Sequence, residues 1–444
     1  MNGEVGNLAA MFPLLAHVGG RTDLPVPLSF FIVGAGLAIV VSFVALSAAW
    51  FEPRLQGEYD RQTSPSRLAN AITRLLAAAG AVGLVLVVVN GLLEGDETSH
   101  SIGVVLVWIV FWLAVPFASV AVGGLWRWMS PYRRIVHFAS HSVDERPEIL
   151  GRIGVWPAVV AFISFTWLEL VYPENTIPET LAIAAVVYGL YLFVLSRRLG
   201  PETALRSGAA FEMYTGLISM IAPVEFVGTP DQGPAQIERR RWLVALPHMP
   251  THPGTAAFII AMIGTVTYDG MSGAGWWADM VGDVRREMWF ETITLLSICL
   301  VIGAAYYGAS RLAAHLAGDS RTTGDIAASF AHTLVPIAFA YAFAHYFSLI
   351  VFEGQQLVHS ASDPFGRGWD LFGTADWQVV FTPSQLWIWY VQVIVIVLGH
   401  IAGVVLAHDR ALAEFDSEVA VRTQYAMLVL MVSLTGLGLF ILAG

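Results

Sequence analysis

Apolar residues in this chain run in long unbroken blocks rather than alternating with polar ones. A helix needs about 20 mostly apolar residues to cross the hydrocarbon core of a bilayer. Ten blocks meet or approach that length: 29–50, 76–94, 103–125, 153–172, 180–196, 254–270, 288–309, 325–352, 386–408 and 422–443. The strands of a membrane barrel would alternate over about ten residues. These blocks do not, so they predict an all-α polytopic bundle of about ten transmembrane helices in one domain, 1–444, because helices satisfy their backbone polar groups in lipid. The segment from Ala209 to Phe226 is largely apolar but carries Glu212, Pro223 and Glu225, and reads as interfacial or re-entrant. The first 28 residues have neither a basic start nor a small-residue cleavage site and read as mature chain.

Composition sharpens this picture. Of the 444 residues 56% are hydrophobic and 13% charged, with a mean hydropathy of +0.65. A soluble domain carries about 25% charged residues, so a water-soluble protein is excluded. All 23 cations are arginines, and their placement orients the spans, since cytoplasmic loops hold an excess of positive charge. With the N-terminus outside, only Arg21, Arg285, Arg286 and Arg367 face out and the other 19 of the 23 face in. Both termini then lie outside, in a multi-pass protein of the plasma (inner) membrane whose immediate partner is the lipid bilayer. The run Glu238-Arg239-Arg240-Arg241 reads as an anchor at the cytoplasmic headgroups. A net charge of −11 lacks the basic footprint of a nucleic-acid binder.

Ionisable side chains inside membrane spans are costly and mark functional sites. Here they are Glu169, Asp269, Glu291, His332, His345, His400 and His408, with Asn90 and Gln392 as uncharged company. Glu169, Asp269, Glu291 and His345 fall toward the outer face, where Glu353, His359 and Asp363 follow in a loop. Asp269, His345, Glu353, His359 and Asp363 carry the ligand types for a divalent metal ion, although their spacing matches no helical metal signature. Plainer readings stand beside this one. Glu169 and Glu291 lie near span ends, where side chains reach water, and His345 near Tyr341 and Tyr346 suits a hydrogen-bonded core histidine.

In the inner half, His332 and His400 occupy similar depths on successive antiparallel spans. Facing each other, they would ligate one haem, relay protons or bind a cation; two packed histidines are the plainer alternative. His332 and His345 are 13 residues apart, about 220° around a helix, so two haems stacked on one face are disfavoured. Pro336 between them removes a backbone hydrogen bond. His408-Asp409-Arg410 reads as an interfacial cap, and His248 and His252, set among prolines, as a structured lead-in to the sixth span.

Absent motifs narrow the chemistry. Without lysine there is no P-loop, hence no nucleotide cofactor of that kind, and no Schiff base. The one cysteine, Cys299, permits neither an intrachain disulfide nor a CxxCH haem attachment.

Three segments carry a resemblance: Ala16-His17-Val18-Gly19-Gly20-Arg21-Thr22-Asp23-Leu24-Pro25-Val26-Pro27, Thr267-Tyr268-Asp269-Gly270-Met271-Ser272-Gly273, and Glu353-Gly354-Gln355-Gln356 followed by Ser362-Asp363-Pro364-Phe365-Gly366-Arg367-Gly368-Trp369-Asp370. Together they resemble a family of actinobacterial polytopic membrane proteins, some of which carry the label fenitrothion hydrolase. The resemblance implies organophosphate ester hydrolysis at a membrane site and assigns no catalytic residue. Three function classes are thus expected. One is a transporter or channel for a small solute or metal cation along a His/carboxylate-lined path. The others are a membrane-embedded metal-dependent hydrolase, and a structural or haem-binding subunit of a membrane complex. A homo-oligomer is compatible with each.

Overall fold

The computed structural model describes residues 27–57, 62–94, 101–228, 235–318, 321–374, 376–377 and 380–443. It is an all-α bundle, and among these residues eight helices are long and apolar enough to cross a membrane. In chain order they are α1 (Leu28–Ala49), α2 (Arg67–Glu94), α3 (Ile102–Val122), α5 (Pro178–Leu199), α8 (Met288–Ala317), α9 (Thr323–Ser362), α10 (Gln385–Glu414) and α11 (Ser417–Leu442). Three further helices complete the numbering: α4 (Trp156–Leu170), α6 (Ala210–Ser219) and α7 (Thr255–Ser272). α4 has only 15 residues. α7 is buried along nearly its whole length and on every side.

Around α7 pack α4, α8 and α9; α10 lies against α9, and α11 bridges α8, α10 and α1. On the other side α2 packs on α5 and α3. Small residues set the crossing of α9 and α10. A Cβ on Gly399 would fall 2.3 Å from Ala340 Cβ and 2.8 Å from the Pro336 carbonyl oxygen, and one on Gly403 would fall 2.9 Å from the Thr333 carbonyl oxygen. Small side chains let helix backbones approach in this way in membranes.

Two helices depart from α geometry. α3 is wound as a π-helix over Leu106–Ala114, just before Pro116, which has no N–H to give to the carbonyl of Trp112. α9 tightens to a 3-10 turn at Ala331–Leu334 and resumes as Val335–Phe352 with Pro336 in its first turn. Proline is tolerated there because a first-turn N–H has no intrahelical acceptor.

The segment expected at the interface, 209–226, dips among the spans. Phe211 of α6 meets Phe111, Phe165 and Tyr188 at 4.6–4.9 Å between ring centres. It then leads into a small antiparallel sheet of β1 (Gln62–Pro65), β2 (Val224–Val227) and β3 (Gln236–Arg239), with β3 central. The expectation of a headgroup anchor at 238–241 is corrected here for Glu238 and Arg240. The Arg240 side chain is only 6% exposed and pairs with Glu225 at 3.2 Å and Glu238 at 3.6 Å. It also donates to the carbonyls of Ser219 (2.7 Å) and Ala222 (2.9 Å), at the end of α6 and in the turn that follows it. Burial pushes the Glu225 carboxyl above the usual carboxylate range, against the downward pull of the Gly124 amide and the Arg240 guanidinium.

Candidate functional site

Asp269 lies in the last full turn of α7, where the helix is enclosed by its neighbours. An ionised carboxylate there needs strong partners to offset lost hydration. α9 supplies two from consecutive positions. His345 Nε2 stands 2.8 Å from Asp269 Oδ2, and the Tyr346 hydroxyl donates to the same oxygen at 2.7 Å. Gly270 keeps the approach open: a Cβ there would lie 2.2 Å from Ile441 Cγ2 and 3.5 Å from the His345 ring.

A second acid reaches this centre from α4. Glu169 Oε1 accepts the indole N–H of Trp112 at 2.7 Å, from the π-wound part of α3. Trp112 is stacked on Tyr214 of α6, with ring centres 5.1 Å apart. The other carboxylate oxygen, Oε2, is sealed from solvent without a hydrogen-bond partner. Glu169 interacts electrostatically with both Asp269 and Tyr346, so the tyrosine stands between two acids. On the flank of α7, the Tyr268 hydroxyl donates to Glu291, and both residues border a cavity of about 590 Å³ that Leu170, Arg285 and Arg286 also line.

The five residues of the expected metal set are only partly joined. Asp269 and His345 meet. Asp363 instead closes a turn of its own loop, accepting the amides of Arg367 (2.9 Å) and Gly368 (2.7 Å). Glu353 sits in a 3-10 turn, Glu353–Gln355, and His359 in the short helix Gln356–Ser362. Among the described residues no three His, Cys, Asp or Glu side chains form a group able to hold a metal ion.

No hydrogen bond joins His332 to His400. Each imidazole gives Nδ1–H to a carbonyl of its own helix, Ser329 at 3.0 Å and Ile396 at 2.8 Å, and each Nε2 is sealed without a partner. The His400 ring packs 5.9 Å from Tyr341. His332 instead borders a cavity of about 370 Å³ at the opposite end of α9 from His345, with Arg321, Arg410 and Glu414. The arginine–carboxylate contact there, Arg321–Glu414, is reinforced by the Ser329 hydroxyl.

The cap expected at His408-Asp409-Arg410 is an interior knot. His408 joins Gln424 Oε1 (3.0 Å) to the Trp50 carbonyl (2.9 Å). Asp409, fully buried, accepts from Trp50, Arg54, Leu55 and Gln56. Sequence reasoning also missed Trp112 as the donor to Glu169, because an indole inside an apolar run looks like lipid-facing bulk. Tyr346 carried a weak signal, its position next to His345. No family model, curated protein or solved structure matches the chain.

Proposed function

We propose that this chain is a multi-pass membrane transporter or channel that carries a small solute or cation past the Asp269–His345 pair. The observation that carries this reading is an acid–imidazole pair on a helix enclosed by other apolar helices, with a second acid beside it. Buried ionisable groups in membranes line ion and proton paths. Cavities at both ends of the bundle support it, one beside Tyr268 and Glu291, the other beside His332 and Arg410. So does the break in α9 at the second of them, where His332 lies, since interrupted helices line transport sites.

In this reading α4 and α7 join the eight long helices to make ten crossings. Nineteen of the 23 arginines then lie on the cytoplasmic side of the plasma membrane and both termini outside. Reporter fusions after α7 and α8 test that arrangement; equal exposure of both on one side would overturn it.

The test of function is flux into proteoliposomes of purified protein, with a trapped pH dye for protons and a trapped chelating dye for Zn²⁺ and Mn²⁺. Flux above empty vesicles, reduced at least tenfold by Asp269→Asn and by His345→Ala, is expected. Absence of flux for all three ions, or flux untouched by both changes, would sink the reading.

A further inference from the structure

The two acids of the site are unequally served. Asp269 Oδ2 has the Tyr346 hydroxyl and the His345 imidazole at hydrogen-bonding distance. Glu169 has the Trp112 indole on Oε1 and shares the Tyr346 hydroxyl, whose single proton is directed at Asp269, while Oε2 is sealed from solvent. Two carboxylates this close to one tyrosine cannot both carry charge at low dielectric without a large cost. Where environments divide such a pair, the better-donated acid keeps the charge and the other keeps the proton. The groups that face Glu169 are Trp112 of α3, Tyr214 of α6, Asp269 of α7 and Tyr346 of α9. None of them is a cation. Among the described residues the basic group beside this centre is His345, and it is directed at Asp269.

We propose that Glu169 is the proton-carrying acid of this site, and that the ion moved through it is the proton, handed to Asp269 through the Tyr346 hydroxyl. The step balances without a co-reactant. The O–H bond of Glu169 breaks and its proton bonds to the Tyr346 oxygen, while the proton of Tyr346 passes to Asp269 Oδ2. Glu169 is left as carboxylate, Asp269 as carboxylic acid, Tyr346 as the same neutral phenol, and the net charge of the site is unchanged. His345 then takes the proton from Asp269 or stabilises the carboxylate once it has left. This deepens the transport reading and rests on it for direction of flow, whereas the protonation of Glu169 is measurable without flux.

The experiment has two arms on the full-length protein in lipid. Infrared difference spectroscopy at neutral pH reads the C=O stretch of a protonated, buried carboxyl. The band is expected in the wild type and in Asp269→Asn, and lost in Glu169→Gln, whose amide oxygen still accepts from Trp112. No band in the wild type, or a band that survives Glu169→Gln, overturns the proposal. The second arm is proton flux with the trapped pH dye. Glu169→Gln and Tyr346→Phe are each expected to reduce it at least tenfold, with Glu169→Asp restoring part of it and Tyr346→Phe keeping the infrared band. Undiminished flux in both variants overturns the relay. A Glu169-dependent band without flux in any protein keeps the acid assignment and overturns proton transport.

Discussion

His345 and Asp269 meet at 2.8 Å between α9 and α7, and the oxygen they share is the one that Tyr346 also reaches. The pair is enclosed, so removing one member strands the other. Leaving one partner of a buried hydrogen bond unsatisfied costs about 1–3 kcal/mol, more when that partner is charged, whereas replacing both members costs less. His345→Gln and Asp269→Asn are each expected to lower the thermal midpoint of the purified protein by several degrees. The double variant is expected to lie above the sum of the two losses. Additive losses in that cycle would show that the two side chains are energetically independent.

The knot at the opposite end of α10 predicts a purely structural effect. Asp409 takes the amides of Arg54 (2.5 Å) and Leu55 (3.1 Å), the Trp50 indole (3.2 Å) and the Gln56 amide (3.0 Å). Asn at this position keeps one acceptor oxygen and turns an NH₂ toward donors. Charge-assisted hydrogen bonds are worth about 1.5–3 kcal/mol each, more when a buried group is left unsatisfied. Asp409→Asn is therefore expected to free the segment after α1 and raise limited-proteolysis rates at 51–57 at least tenfold, with little change at 363–374. Unchanged cleavage would mean that the turn is held by something else.

What the sequence revealed, and what it hid, follows from where the constraint lies. Lipid acts on each residue of a spanning helix separately, so α1 and α11 are visible as apolar blocks. Helix continuation past Arg311 in α8 is not, because Ala and Leu extend a helix equally well outside the apolar region. The sheet was invisible for another reason. Its strands have four residues each, and the central strand pairs on one side with a segment more than 150 residues away, Ser64 opposite Ile237. Within the site, Asp269 and His345 stood out by the cost of their burial. The donors to the two acids did not, since Trp112, which serves Glu169, and Tyr346, which serves Asp269, are aromatic and cost little in an apolar run. Asp363 misled because its own loop amides claim it, a local contact that residue type does not announce.

Acid should loosen a helix start outside the spans. Glu145 accepts the amides of Glu202 and Thr203 (both 2.8 Å) and the Thr203 hydroxyl (2.7 Å), capping the helix Pro201–Gly208 from a neighbouring loop. Burial pushes this carboxyl up, but the three donors together outweigh it and hold it below the usual range. A depressed carboxylate stabilises the fold above its unfolded value and loses that contribution as pH falls through the folded one. Hydrogen exchange at Glu202 and Thr203, corrected for intrinsic rates, should therefore lose protection only below the ordinary carboxylate range. In Glu145→Gln the protection should be weak at every pH. Protection that fades already near neutrality would mean that Glu145 does not hold these amides.

Two glycines three residues apart on α2 predict opposite outcomes for one substitution. A Cβ on Gly80 would lie 1.8 Å from the Met129 carbonyl oxygen and 2.7 Å from its carbonyl carbon, so the backbones of α2 and of the helix Leu125–Met129 touch there. Backbone cannot rotate aside as a side chain does, and the cost should reach or pass the upper end of the about 1–3 kcal/mol seen for overpacking. Gly83 has nothing within 4 Å of the same added atom. There the methyl only removes unfolded-state freedom and adds helix propensity, a gain of up to about 1 kcal/mol. Gly80→Ala should thus lower the yield of monodisperse protein and its thermal midpoint, while Gly83→Ala leaves both equal or higher. Equal behaviour of the two variants would mean that α2 slides freely over Leu125–Met129, and that the contact at Gly80 sets nothing.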